Sequence, residues 1–301
     1  MSMSNMITDL FDAGLSPSVV REIIELKHGK RVSRLFLDDE QLLKASTVFD
    51  KAKLKYFLSP GKIIFNQDSG KGGFSNSGSS FVPDSTPIGS FMVHVGTDET
   101  EDYEARQCDL SGNDLEFGRF LGIPECCIGS FLKNLHQAQE IQNDYTLFCC
   151  ESTTEKPCGW CNPCPQYFGY GLVSYFPCSL TCDPTSLKAR ETFNLLDSLD
   201  SQLAATFLNF QMKSYLYTEF DGVYGFEGFM YDGQQATYDP KNIIRTGKSL
   251  VGDLIKKSNR ISINDPQDLT FFADDEMQIR MKSQNVYLIH NVRSLDDQSR
   301  T

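Results

Sequence analysis

The chain has 301 residues, enough for two or three modest domains or one large one, and its 40% hydrophobic and 12% aromatic content excludes a globally disordered polypeptide. Its 28 basic and 40 acidic residues give a formal charge of -12, which excludes a broadly basic face for nucleic-acid backbones but not a local patch. The opening MSMSNMITDLFDAGL lacks a basic segment, an apolar core and a small-residue cleavage site, and no run approaches the roughly 18 apolar residues of a spanning helix. The expected setting is therefore cytoplasmic, without membrane contact. There, clustered cysteines bind metal or react more often than they form disulfides.

Residues 1–105 read as a small N-terminal α+β unit. Ser16-Pro17 is a helix start, with serine as N-cap and proline in the first turn. Val20, Ile23, Ile24 and Lys27 follow at helical spacing, and Gly29 can close the helix. A second helix is expected from about Asp39. KLKYFLS and KIIFN, joined across Ser59-Pro60-Gly61, predict a hairpin. The Gly/Ser-rich segment 67–87 reads as a loop or linker, SFMVHVG as a strand, and TDETEDYE as a solvated acidic run.

Residues 106–205 read as a cysteine-rich helical metal-binding domain. Asn113 or Asp114 opens a short helix that ends at Leu121-Gly122. Pro124 is expected at the first position of the next, with Cys127, Ile128, Phe131, Leu132 and Leu135 on its apolar face. Asp183-Pro184 repeats the start signal, with Asp183 as N-cap. Residues 206–301 turn strand-rich. Asp221-Gly222 and Asp232-Gly233 mark turns, SLVGDLIKK a helix, and RISIN, MQIRMKS and VYLIHNV strands, the last two joined as a hairpin at Gln284-Asn285. The fold class expected is thus α+β.

Nine of the ten cysteines lie between Cys126 and Cys182. At the centre is Cys158-Gly-Trp-Cys161-Asn-Pro-Cys164, whose two-residue spacers let successive thiolates converge on one centre. This resembles the opening of a bacterial-ferredoxin ligand run, but position 168 is Phe where that pattern has its fourth cysteine. Cys178 or Cys182 is the candidate fourth ligand. The same residues permit a zinc reading, in which Cys158–Cys161 and Cys178–Cys182 form two knuckles and Cys164 is spare. The cofactor expected is an iron–sulfur cluster of the [4Fe–4S] type, with zinc as the alternative. Soft thiolates suit both, so spacing alone does not separate them.

Two further positions favour thiolates because helix N-termini favour anions: Cys126 in the turn after Pro124, and Cys182 before Asp183. Cys127 falls on the apolar stripe and reads as core. Cys126 points about 100° away from it and is the candidate reactive or catalytic thiol. Adjacent Cys149 and Cys150 are poor joint ligands, and Cys108 has no assigned role. His94 and His290 sit in apolar strand patterns and read as core or edge histidines. No HExxH, CxxCH, complete P-loop, dinucleotide fingerprint or GxSxG motif is present.

LGIPECCIGSF (121–131) and FPCSLTCDPTS (176–186) resemble the Leu-Gly-x-Pro-x-Cys-Cys and Pro-Cys-Ser-x-x-Cys motifs of uncharacterised prokaryotic proteins. The likeness covers the middle third of the chain. It implies no activity, but it links Cys126, Cys127, Cys178 and Cys182 as one site. Two functions remain open from the residues. One is an iron–sulfur enzyme doing redox or sulfur-transfer chemistry on a small molecule or with a redox partner protein. The other is a non-catalytic interaction module held by structural zinc.

Overall fold

The computed structural model describes residues 1–66, 78–141, 144–153 and 155–290. Most of the Gly/Ser-rich segment expected at 67–87 therefore lies outside the described residues. The protein is α+β, with helices and antiparallel sheets.

The chain opens with α1 (Met3–Asp12), where the Ser2 hydroxyl accepts the Asn5 N–H and Met6, Ile7 and Leu10 are buried. No start signal had marked this helix. α2 (Pro17–Lys27) begins at Ser16-Pro17 as expected. β1 (Val32–Leu37) follows, then α3 (Asp39–Ala52), closed at its start by a reciprocal Asp38–Gln41 capping box. β2 (Lys55–Ile63) and β3 (Ser90–Gly96) complete a three-stranded sheet in the order β1-β3-β2.

The hairpin expected across Ser59-Pro60-Gly61 is not formed. Leu58 pairs with Val93 and Lys62 with Phe91, so both halves lie along the same partner strand and the three residues between them bulge. Proline has no N–H to offer the ladder. Ser59 takes over, its hydroxyl donating to Gly61 O at 2.5 Å and accepting the Met92 N–H at 3.1 Å. The acidic run also differs from expectation. Asp98 caps α4 (Glu99–Leu110), and the carboxylates of its first turn complement the helix N-terminus. His94 is fully buried, as its strand pattern suggested, with Nε2 2.7 Å from Asp109 Oδ2.

The middle of the chain comprises α5 (Asp114–Phe120), α6 (Glu125–Glu140), α7 (Thr146–Glu151), two 3-10 turns (Gly159–Cys161 and Cys164–Phe168), α8 (Asp183–Leu199) and α9 (Ser201–Gln211). The C-terminal part contains β4 (Ser214–Thr218), β5 (Gly222–Phe226), β6 (Met230–Tyr231), β7 (Gln235–Thr237), β8 (Ile244–Arg245), α10 (Leu250–Lys257), β9 (Arg260–Asp265), β10 (Asp268–Ala273), β11 (Glu276–Lys282) and β12 (Val286–Ile289). Both Asp-Gly turns close antiparallel pairs, β4–β5 and β6–β7. The expected β11–β12 hairpin is absent. β11 ends the sheet β11-β10-β9-β7-β6, whereas β12 crosses to β12-β4-β5-β8 and pairs with β4.

Three large apolar cores and two smaller clusters are formed among the described residues. The first joins Ile23, Ile24, Phe49 and Val93 to Trp160, Leu196 and Phe207 from the middle of the chain. The second lies between the C-terminal sheets around Phe226, Ile261 and Phe271. In the third, Leu147, Cys149, Cys150 and Cys164 meet Tyr215 and Tyr217 of β4. Burying each large apolar side chain contributes about 1.5–3 kcal/mol. The first core also holds α8 through Ala189 and Leu196.

Candidate metal centre

The four sulfurs of Cys126, Cys127, Cys178 and Cys182 all lie within 4.8 Å of one another. They could hold a metal ion. Cys126 and Cys127 come from the first turn of α6, with Pro124 as the N-cap rather than the first helical residue. Gly122, at a φ of +67° that suits glycine, turns the chain sharply between α5 and α6. Cys182 is the N-cap of α8, displacing the expected Asp183 to the first helical position. Its carbonyl accepts the Ser186 N–H at 2.9 Å, which makes it the half-in residue. Two helix N-termini thus meet at one cluster of sulfurs, and their dipoles favour thiolate charge.

Sulfur separations are 3.6 Å for Cys127–Cys182, 3.7 Å for Cys126–Cys182 and 3.9 Å for Cys126–Cys127. Four thiolates on one zinc ion, each at about 2.3 Å and tetrahedrally arranged, stand about 3.8 Å apart. In a four-iron cluster each cysteine binds a different iron, and the ligand sulfurs stand farther apart than ligands sharing one ion. Three of the six sulfur separations lie near that tetrahedral edge, and Cys178 lies within 4.8 Å of the other three sulfurs.

The protonation pattern follows from the packing. The Cys127 thiol donates to Cys182, and Thr185 adds further donors, so despite burial the Cys182 thiol is pulled down to about 5. That same hydrogen bond, together with burial, pushes Cys127 up. Burial and the neighbouring Cys182 push Cys178 up to about 12. A divalent cation bound by these thiols would displace the protons they carry.

Cys158 and Cys161 pack beside this tetrad. They share its cluster with Cys127, Cys182, Ile123 and Tyr175, and Cys161 Sγ donates to the Cys182 carbonyl at 3.2 Å. The Cys158 N–H donates to Leu180 O at 2.8 Å, which ties the two cysteine-bearing loops together. The Cys158–Cys161 hydrogen bond and burial push the Cys161 thiol up. Cys164, expected beside them, is fully buried in the third core with Cys149 and Cys150. Burial pushes all three of those thiols well up, so they remain neutral and pack as small apolar groups.

Cys127 is buried as its helical stripe required, yet its sulfur also belongs to the tetrad. Cys126 is the exposed member. The four assembled cysteines are those of the two paired motifs, 121–131 and 176–186. Comparison with protein-family models, curated proteins and solved structures finds no match. No helix among the described residues is long and apolar enough to cross a membrane.

Proposed function

We propose that this chain is a zinc-type metalloprotein in which Cys126, Cys127, Cys178 and Cys182 hold one divalent ion, and that the ion fastens the start of α6 to the start of α8. The carrying observation is that the Cys126, Cys127 and Cys182 sulfurs stand 3.6–3.9 Å apart, close to the edge of a mononuclear tetrathiolate tetrahedron, with Cys178 within 4.8 Å of all three. A complete set of four protein ligands leaves no open position for substrate. This favours a structural role and an interaction module over chemistry at the metal. The ion would supply cross-linking and charge neutralisation there, while Thr185 and the backbone N–H of Cys178 orient the Cys182 and Cys127 sulfurs.

A second reading retains an iron–sulfur centre and a redox or sulfur-transfer enzyme. It is favoured by Cys158 and Cys161, which place two further thiols against the same cluster. Substitution separates the two. Under the single-ion reading, Cys127→Ser and Cys178→Ser each lose stoichiometric metal by elemental analysis, whereas Cys164→Ser keeps it and costs about 1–3 kcal/mol of packing. Retention of metal in Cys178→Ser together with its loss in Cys164→Ser supports the ferredoxin-type ligand run instead.

A further inference from the structure

Beside the thiol cluster lies a cavity of about 150 Å³ whose lining is half charged and otherwise mostly apolar. Arg21, Lys30, Arg34, Lys188, Ser174 and Tyr175 line it, with Glu22 and Glu25. Ile123 and Tyr175 belong to both the cavity wall and the packing around the cysteines. A more open cleft of about 700 Å³ adjoins it and shares Glu25, Lys30, Leu121 and Lys188. In a chain of net charge -12, this convergence of cations is a local reversal of sign.

The acceptors here are already used. Glu22 takes hydrogen bonds from Ser174, from Lys30 and from Ser33 at 2.6 Å, and it pairs with Arg21 at 2.9 Å. Glu25 accepts from Arg21 at 2.7 Å and from Thr192 at 2.5 Å. Lys30 and Arg21 hold the Glu22 carboxyl ionised against its burial. The donors are not exhausted. Arg21 is 1% exposed, and its Nε–H has no hydrogen-bond partner among the described residues. Lys188 has three N–H donors, and one bonds Gly122 O at 2.7 Å. Burial and the facing Lys30 push the Lys188 ammonium down, as expected of a cation short of counter-charge. Arg34 is matched by Asp109 at 2.9 Å. That leaves Arg21, Lys30 and Lys188 facing two carboxylates.

We infer that this cavity binds a small organic or inorganic anion, a carboxylate or a phosphate, with Lys188, Lys30 and Arg21 as its donors and the adjoining cleft receiving the rest of the ligand. The walls contain no cysteine, so the inference goes beyond the metal reading and does not depend on it. A cavity of this size takes one anionic group with a few carbons. Charge-assisted hydrogen bonds from partly desolvated cations supply the affinity, and the fixed Glu22–Arg21–Glu25 network supplies the shape.

Calorimetric titration of the 301-residue chain, as purified, with inorganic phosphate and, separately, with succinate tests this against sodium chloride at equal ionic strength. Saturable binding of at least one anion is expected, and which one binds distinguishes phosphate from carboxylate chemistry. Lys188→Met should weaken it at least tenfold in a chain that remains folded and keeps its metal content, and Lys188→Arg should restore most of it. No saturable heat with either anion, an equal response to chloride, or undiminished affinity in a folded Lys188→Met would overturn the inference. Metal content measured on the same samples keeps this outcome separate from that of the metal reading.

Discussion

At the scale of single residues, the same physics that gathers sulfurs also strands charge. Cys182 occupies an N-cap where serine, threonine, aspartate or asparagine is usual; its side chain makes no capping hydrogen bond, and its sulfur stands 3.6 Å from that of Cys127. Asp102 in the first turn of α4 is different. Its side chain is fully buried, and neither carboxylate oxygen has a partner among the described residues. Burial, then Asp98 and Glu101, raise its pKa to about 7. An unfolded aspartate ionises near about 4, so between that pH and about 7 the unfolded chain releases a proton that the folded chain keeps. Asp102 thus lowers stability progressively as pH rises through that window, and the loss is complete above it. Asp102→Asn should lack that part of the pH slope. Urea midpoints measured from pH 4 to pH 8 should converge at the acid end, with the variant the more stable at pH 8. Parallel slopes for the two proteins would show that Asp102 titrates normally.

At the scale of elements, what could be read from the sequence was local. Ser16-Pro17, the Asp-Gly turns and the Ser249-capped helix carry their own start and stop chemistry, and each stands where that chemistry puts it. The misreadings share one cause, which is that pairing partners distant in sequence override a local turn signal. Ser59-Pro60-Gly61 reads as a turn, but β3 pairs with both flanks and converts it to a bulge. Gln284-Asn285 does turn the chain, but β4 captures the following strand into another sheet. The acidic run looked like solvated surface because the helix it opens is only weakly amphipathic, although Asp98 followed by Glu101 is itself a helix-start pattern. Gly61 tests the bulge, since a methyl group there would run into the Val82 carbonyl. Gly61→Ala should destabilise the protein by about 1–3 kcal/mol in chemical denaturation. A surface hairpin turn would instead tolerate alanine with little change.

At the scale of the whole molecule, the first core runs from α1 to α9, so the N-terminal sheet shares one apolar interior with α8 and α9. The candidate centre sits where that interior meets the connections into α6 and α8, and it brings together residues 56 positions apart. Sequence spacing pointed to Cys158–Cys161–Cys164 because adjacency along the chain is all that spacing can measure. The tetrad depends instead on two helix N-termini being packed face to face, a long-range relation visible in the sequence only through the likeness of its two motifs. The most direct test is X-ray absorption together with elemental analysis on chain purified without oxygen. The account predicts one metal ion per chain, with about four sulfur neighbours at about 2.3 Å and no metal neighbour. Iron with acid-labile sulfide and a nearby second iron, or a folded chain that takes up no metal, would contradict it.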